Sequence, residues 1–436
     1  MVSRPHQKWA LVLTLILTSS LSCGGDEDDS TSSSSDAATS NAATSNASTS
    51  NTATSNTDFE DCDVIVSPSD NDQDAIQLAF IDAEEGQTLC LDEGTYSLNQ
   101  QLSLSANNIT LKGAGATSTI LDFSAQDIGA NGISITGDNV VVEDLQVKET
   151  PGDGIRATDT DGITFRRVHV IWEAESSVEN GAYGLYPVGC TNVLVEESFV
   201  VGARDAGIYV GQSNQVIVRN NEARGNVAGI EVENTLDADI YGNHAHDNTG
   251  GILVFDLPGL DQFGARAKVH DNLIENNNRE NFAEEGAIVA VVPAGTGILI
   301  LSSDDNEFHD NTIQGNKSAG VILVSFSEAL TGRAPDDPNF DIFPQGNYIH
   351  DNTFLNNGGD PAPIVGAATA GFSPSPDIIW DGCTDENAME ESDRNCVQNN
   401  GDATYLNFNL LCGDAVISDL DEVDCSHEPL NRIELP

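Results

Sequence analysis

The sequence predicts an all-β chain wound as a single-stranded, right-handed parallel β-helix of about ten rungs, with an N-terminal helical cap and a disulfide-bearing C-terminal cap. The first observation is a glycine followed by a branched aliphatic residue. It recurs at Gly132-Ile133, Gly154-Ile155, Gly184-Leu185, Gly207-Ile208, Gly229-Ile230, Gly251-Ile252, Gly297-Ile298 and Gly320-Val321, with spacings of 22, 30, 23, 22, 22, 46 and 23. The second is an asparagine series out of phase with the glycines: Asn221, Asn243, Asn272, Asn311 and Asn352, each followed five residues later by Asn226, Asn248, Asn277, Asn316 and Asn357. The third is the content of one period. NQVIVRN, NEARGN and AGIEVEN are three short runs of alternating apolar and polar residues, so each buries one face. A unit this short has no core of its own, but stacked copies bury a shared one. Parallel crossovers are right-handed in nearly all cases, which sets the hand. The asparagines then form ladders at the bends.

In chain order, residues 1–22 read as an export signal. Arg4 and Lys8 precede the apolar run Ala10 to Leu17, a segment too short to span a bilayer. SLSC resembles a bacterial lipoprotein cleavage box with Cys23 as the lipidated residue, although Leu21 lies one position nearer the cysteine than that pattern has it. The expectation is an exported outer-membrane lipoprotein, facing the periplasm or the cell surface and held to the membrane by its lipid. Residues 23–58, acidic and rich in Ser, Thr, Asn and Ala, have almost no side chain large enough to pack and read as a disordered tether. The β-helix with its cap is expected over 59–358. Within it, Ser69 to Ala83 has helical spacing, and Ile76, Leu78, Ala79, Phe80 and Ala83 offer one apolar face to cover the first rung. Beyond Gly358 the period fades, and residues 359–436 read as the opposite cap with irregular structure.

Asp and Glu number 70 against 17 Lys and Arg, a formal charge of −53. Nucleic-acid binding is excluded as a function class, because phosphate neutralisation needs clustered Lys and Arg. Carboxylate oxygens are ligands for Ca²⁺, so the charge permits calcium without requiring it. The eight cysteines fit an oxidising compartment. Their positions suggest the local pairs Cys62 with Cys90, Cys383 with Cys396, and Cys412 with Cys425, and sequence alone does not fix the connectivity. Cys190 then stands alone, as a buried small hydrophobe.

The segments GAYGLYPVGCTNVLVEES, DAGIYVGQSNQVIVRNN, NVAGIEVEN, TGGILVFDLPGL and VPAGTGILIL resemble an exported bacterial family of parallel β-helix repeat proteins in the pectin-lyase-like superfamily. The resemblance covers about Ser69 to Ser325. That family is defined by fold and export rather than by a reaction. Its genes are often paired with an exported dihaem c-type cytochrome, so the resemblance implies such a cytochrome as a docking partner.

Irregular spacings locate the insertions. The 30-residue interval adds eight residues around EAESSVENGAY; the 46-residue interval adds seven around PGLDQFGARA and seventeen between Asn277 and Gly297. The eight- and seventeen-residue additions leave the coil at one corner and are expected to stand as two walls about 19 Å apart. Between them the outward column reads Tyr186, Tyr209, Glu231 and Leu253, the strand ends read Gln212, Asn234 and Asp256, and Tyr183, Asp205 and Glu233 border the patch. Rings beside acids and amides suit a carbohydrate or another surface polymer, because rings lie on sugar C–H faces while polar tips bond hydroxyls. In the catalytic alternative, Glu231, Glu233 and Asp256 repel one another enough to raise at least one carboxyl pKa, and Tyr186 or Tyr209 transfers a proton in a polysaccharide lyase or epimerase. Two carboxylates also serve glycoside hydrolysis. The aspartate pairs and GHG of polygalacturonases are missing, as is the DPHD of mannuronan epimerases. Arg156 is the one arginine on this column, which disfavours pectate-lyase chemistry. On another face, VHDN, FHDN and IHDN align His270, His309 and His350, a ladder read as a turn motif in preference to a metal site, since it does not converge tetrahedrally.

Overall fold

The computed structural model describes residues 61–385, 390–408 and 416–436. The expected export signal, tether and lipidated Cys23 lie outside the described residues, as does Cys412. Three parallel sheets wind around one core. The first sheet has 12 strands, from Val64–Val66 to Cys396–Gln398; the second has 10, from Gly94–Ser97 to Thr353–Leu355; the third has 11, from Gln100–Leu104 to Tyr405–Asn407. The expected count of about ten rungs is therefore low. The early rungs lack the Gly-Ile signature. At the far end, Ile378–Trp380, Cys396–Gln398 and Tyr405–Asn407 extend the third and first sheets past Gly358, where the sequence period had faded.

The periodic residues explain why the coil forms. Ile208, Ile230, Ile252 and Ile298 pair in register on successive rungs and are fully buried. Burial of each such side chain stabilises by roughly 1.5–3 kcal/mol before entropy is counted. The preceding glycine is required by close approach: a Cβ on Gly229 would meet the carbonyl oxygen of Gly251 at 2.6 Å and the Asn248 amide at 2.8 Å. The asparagine ladders form as expected. Asn243 Nδ2 donates to Val218 O at 2.9 Å and to Asn272 Oδ1 at 3.0 Å, while its own Oδ1 accepts from the backbone and side chain of Asn221. The ladder runs on through Asn311 and Asn352 to Asn400. A parallel one joins Asn226, Asn248, Asn277, Asn316 and Asn357, and Asn306, Asn347 and Asn395 make a third. Each amide bonds backbone groups of the preceding rung and the amide of the next, so buried backbone groups at the bends have partners.

The helix α1 (Asp72–Ile81) covers the first rungs, burying Ile76 and Phe80. Leu78, expected on its packed face, is exposed instead. Asp72 accepts from the backbone of Ser69 and Ser97. Cys62 and Cys90 form the expected disulfide. At the other end the expected pairing is corrected: Cys396 bonds Cys425, and Cys383 is also in a disulfide. The equal spacing of the two local pairs misled, because strand Cys396–Gln398 ends the first sheet and Val397 N donates to Val423 O, which brings Cys425 rather than Cys383 against it. Ile417 makes an antiparallel bridge to Asn407 at the end of the third sheet. Cys190 is free and buried.

Candidate functional site

Each expected H-D-N segment turns on an aspartate in the left-handed region, with φ of 52° at Asp271, Asp310 and Asp351, a conformation Asp tolerates. These carboxylates bond the Nδ1 of His270, His309 and His350, not the bend amides. The imidazoles stack at 4.8 and 5.2 Å, continuing a column of Arg166, Glu196, Arg219 and Tyr241 along the first sheet. Among the described residues, no group of three or more His, Cys, Asp or Glu side chains is arranged to hold a metal ion.

On the third sheet, three strands carry the patch read from sequence: Tyr183–Val188, Ala206–Gly211 and Ala228–Glu233. Alternation sends Ile208 and Ile230 inward, and Tyr209 and Glu231 outward. The outward column is nevertheless covered. Tyr209 is 3% exposed, Glu231 2% and Leu253 0%. The inserted loops lay a second apolar cluster over the sheet, in which Tyr209, Leu253, Phe255 and Leu299 meet Leu257, Val289, Val292, Phe326 and Phe340.

A cavity of about 860 Å³ remains inside this cover. Tyr183, Asp205, Glu231 and Glu233 form its sheet side; Leu257 to Leu260, Ala287 to Val289 and Phe326 form apolar walls; and Arg333, Asp336 and Asp337 close it from a fourth insertion. The eight-residue insertion, expected as a wall, is not part of the lining. It is tied to its neighbour instead: Arg279 donates to Glu175 O at 3.2 Å and to Ser176 Oγ, and Arg204 bridges Val178 O at 3.1 Å and Glu284 at 3.1 Å. The two expected walls therefore touch.

Tyr183 lies 4.5 Å from the rings of both Tyr186 and Tyr209, and Arg156 sits over the Tyr186 ring. Tyr209 donates its hydroxyl to Glu233 Oε1 at 2.7 Å. The Asp205 carboxyl raises that of Glu231 through charge and hydrogen bonding, and hydrogen bonding with Tyr183 opposes the shift of Asp205. Glu231 Oε2 and Asp205 Oδ1 have no donor from the surrounding protein. Burial raises the Asp205 carboxyl to about 7, with the charge of Glu233 adding to the shift. Glu231 is held well above the ordinary carboxylate range by burial and by the charges of Asp205 and Glu233. Glu233 is raised by burial, against the opposing hydrogen bond from Tyr209 and the charge of Arg333. The Tyr186 phenol is pushed up to about 12, chiefly by burial.

The strand-end column serves the loops. Asn234 Nδ2 donates to Leu257 O at 2.9 Å and Gln262 O at 2.8 Å, and Asp256 Oδ1 accepts from Gly264 N at 2.9 Å. Burial raises Asp256 to about 8. Both residues clamp the 257–264 loop, and neither lines the cavity, nor does Gln212. The structure thus joins Glu231 to Asp205 and separates both from Asp256. Arg333, Asp336 and Asp337 were missed by sequence reading. Their signal was the 41-residue step from Asn311 to Asn352, where one turn takes 22 between Asn221 and Asn243.

A family model described as "Right handed beta helix region" matches residues 131–283 and 174–334. The chain is a right-handed parallel β-helix repeat protein. No curated protein matches it significantly. Among solved structures it is similar to the A-module of a mannuronan C-5 epimerase from Azotobacter vinelandii, with 16% identity over 75% of this chain and 89% of that one and a TM-score of 0.47. It is also similar to a polygalacturonase from Erwinia carotovora ssp. carotovora, with 11% identity over 68% and 92% and a TM-score of 0.40. Likenesses at this level concern the coil and do not extend to the site.

Proposed function

We propose that the chain is an exported protein that binds a carbohydrate in the cavity over the third sheet. The observation carrying this reading is the composition of the lining: on the sheet side, one tyrosine ring and three carboxyl groups face apolar loop walls. Sugars present apolar C–H faces to rings and hydroxyl groups to acids, and about 860 Å³ falls in the ~300–1,000 Å³ range of small-ligand sites. A glycan array probed with and without Ca²⁺, followed by calorimetry on each hit, tests it. Asp205→Asn is expected to weaken binding about tenfold or more with the melting curve still cooperative. Full affinity in that folded variant would move the ligand elsewhere on the molecule.

The Asp205 and Glu231 pair favours a second reading, acid–base chemistry on the bound sugar. Two adjacent carboxyls with raised pKa values supply an acid and a base at the same place, as elimination, epimerisation or hydrolysis requires. Glu231→Gln is then expected to reduce turnover roughly 100-fold while ligand still binds; product analysis on each array hit decides it. We also propose that Cys23 carries a lipid anchor. Fatty-acid labelling of the protein and its loss in Cys23→Ser test that step.

A further inference from the structure

Elsewhere on the coil, buried or half-buried acids have basic or backbone N–H partners, as Asp72 and Asp256 do. Glu196 is bound by Arg166 and Arg219, at 2.5 and 2.6 Å. Asp237 holds Arg266 at 2.6 Å, and Glu307 is met by Lys268 and His350, at 3.3 and 3.1 Å. Glu231 departs from this pattern. It is almost wholly buried, it faces the cavity, and its Oε2 has no hydrogen-bond donor. The cavity's one lining arginine, Arg333, donates to Gly286 O at 2.8 Å and opposes the raised pKa of Glu233, not that of Glu231. Asp336 and Asp337 add further negative charge from the fourth insertion. Around Asp205 the outer charges are Arg204 and Asp153.

We propose that the cavity selects a sugar bearing a free primary amine, whose ammonium group bonds Glu231 Oε2 and Asp205 Oδ1. This rests on the carbohydrate reading above and names the ligand class. An ammonium supplies three donors and one positive charge, which fits two bare acceptor oxygens in an acidic site. A metal ion fits less well, since the acids do not converge as a ligand set. An anionic sugar would meet uncompensated carboxyl groups. The tyrosine ring then supports the sugar face beside the amine, as cation–π geometry also favours.

The step has a proton balance. Before binding, both carboxyls are raised, so the pair carries proton at neutral pH. When the ammonium enters, it takes over both oxygens, and that proton leaves to solvent; no covalent bond changes. Binding therefore releases proton to the buffer and strengthens as pH rises until the amine itself begins to deprotonate.

Calorimetry on the full mature chain uses three probes: a β-1,4-linked glucosamine tetramer, its N-acetylated counterpart and cellotetraose. The amine tetramer is expected to bind at least about tenfold more tightly than either other probe, with an apparent enthalpy that varies with the ionisation enthalpy of the buffer. Glu231→Gln and, independently, Asp205→Asn are expected to bring the three affinities within about twofold of one another, with His309→Ala retaining the preference. Equal or tighter binding of a neutral tetramer, or a preference that persists in both folded variants, overturns the amine assignment and leaves the carbohydrate reading standing. No binding by any of the three tetramers, with no hit on the wider array, overturns both.

Discussion

The interior of the coil and the outer face of the third sheet are built from the same strands yet obey different rules. Inside, Ile208, Ile230 and Ile252 meet their own kind above and below, and each Asn243-type amide meets another. Outside, the same strands present Tyr209, Glu231 and Leu253, three unlike side chains in consecutive register. The first region is stabilised by repetition, because each residue's partner is a copy of itself. The second has no such supply of partners. Its polar atoms must be satisfied one by one, and at Glu231 and Asp205 the protein leaves that incomplete.

The largest expected effect breaks the interior. Ile230→Asp places a charge with no partner among fully buried aliphatics, at a cost of several kcal/mol that exceeds what a marginally stable fold holds in reserve. Loss of a cooperative melting transition is expected in circular dichroism; an unchanged transition would mean that the rung register is wrong. Next is Asn243→Ala, which strands Val218 O and the backbone N–H of Asn221. About 2–4 kcal/mol of destabilisation is expected from two orphaned groups, read from denaturant midpoints.

Glu231→Gln sharpens the contrast by reversing the sign. The folded protein holds the Glu231 carboxyl well above its ordinary value of 4.5, so the native state binds the proton more tightly than the unfolded chain. The stability this contributes is complete below the unfolded value and is lost as pH rises through the raised folded one, by up to about 1.4 kcal/mol per pH unit. The glutamine variant does not titrate there. It is expected to melt higher than the parent at pH 8, with the difference shrinking toward pH 4. A parent melting temperature independent of pH across that window would remove the buried-acid argument. The smallest effect is expected for His309→Ala, within about 1 kcal/mol, since its Nδ1 bonds only the adjacent Asp310 and its ring stacks at the surface of the first sheet.

The same contrast explains what could be read from the sequence. Gly229-Ile230 and Asn243 repeat, and repetition shows in a single chain because each copy faces the same constraint. Tyr183, Asp205, Glu231 and Glu233 were reached through that register, and they do meet in one cavity. Non-repeating parts were hidden. Tyr209 alternates outward as expected, yet only the folded loops reveal that it is covered. Asn234 and Asp256 look like ligand contacts until the path of the 257–264 loop shows them clamping it. The Cys396 pairing depended on which segment lies beside the last strand, a tertiary fact without a periodic signal.

A stacked coil is, in principle, a polymer of itself. Every rung displays the hydrogen-bonding edge on which another rung grows, and an uncovered final strand would serve as a template for a second molecule. Here the segment carrying Ile417, Val423 and Cys425 occupies that edge, with Val423 and Ile417 taking backbone bonds from Val397 and Asn407, and Cys425 bolting it covalently to Cys396. The irregular end thus acts as a chain terminator for the first and third sheets.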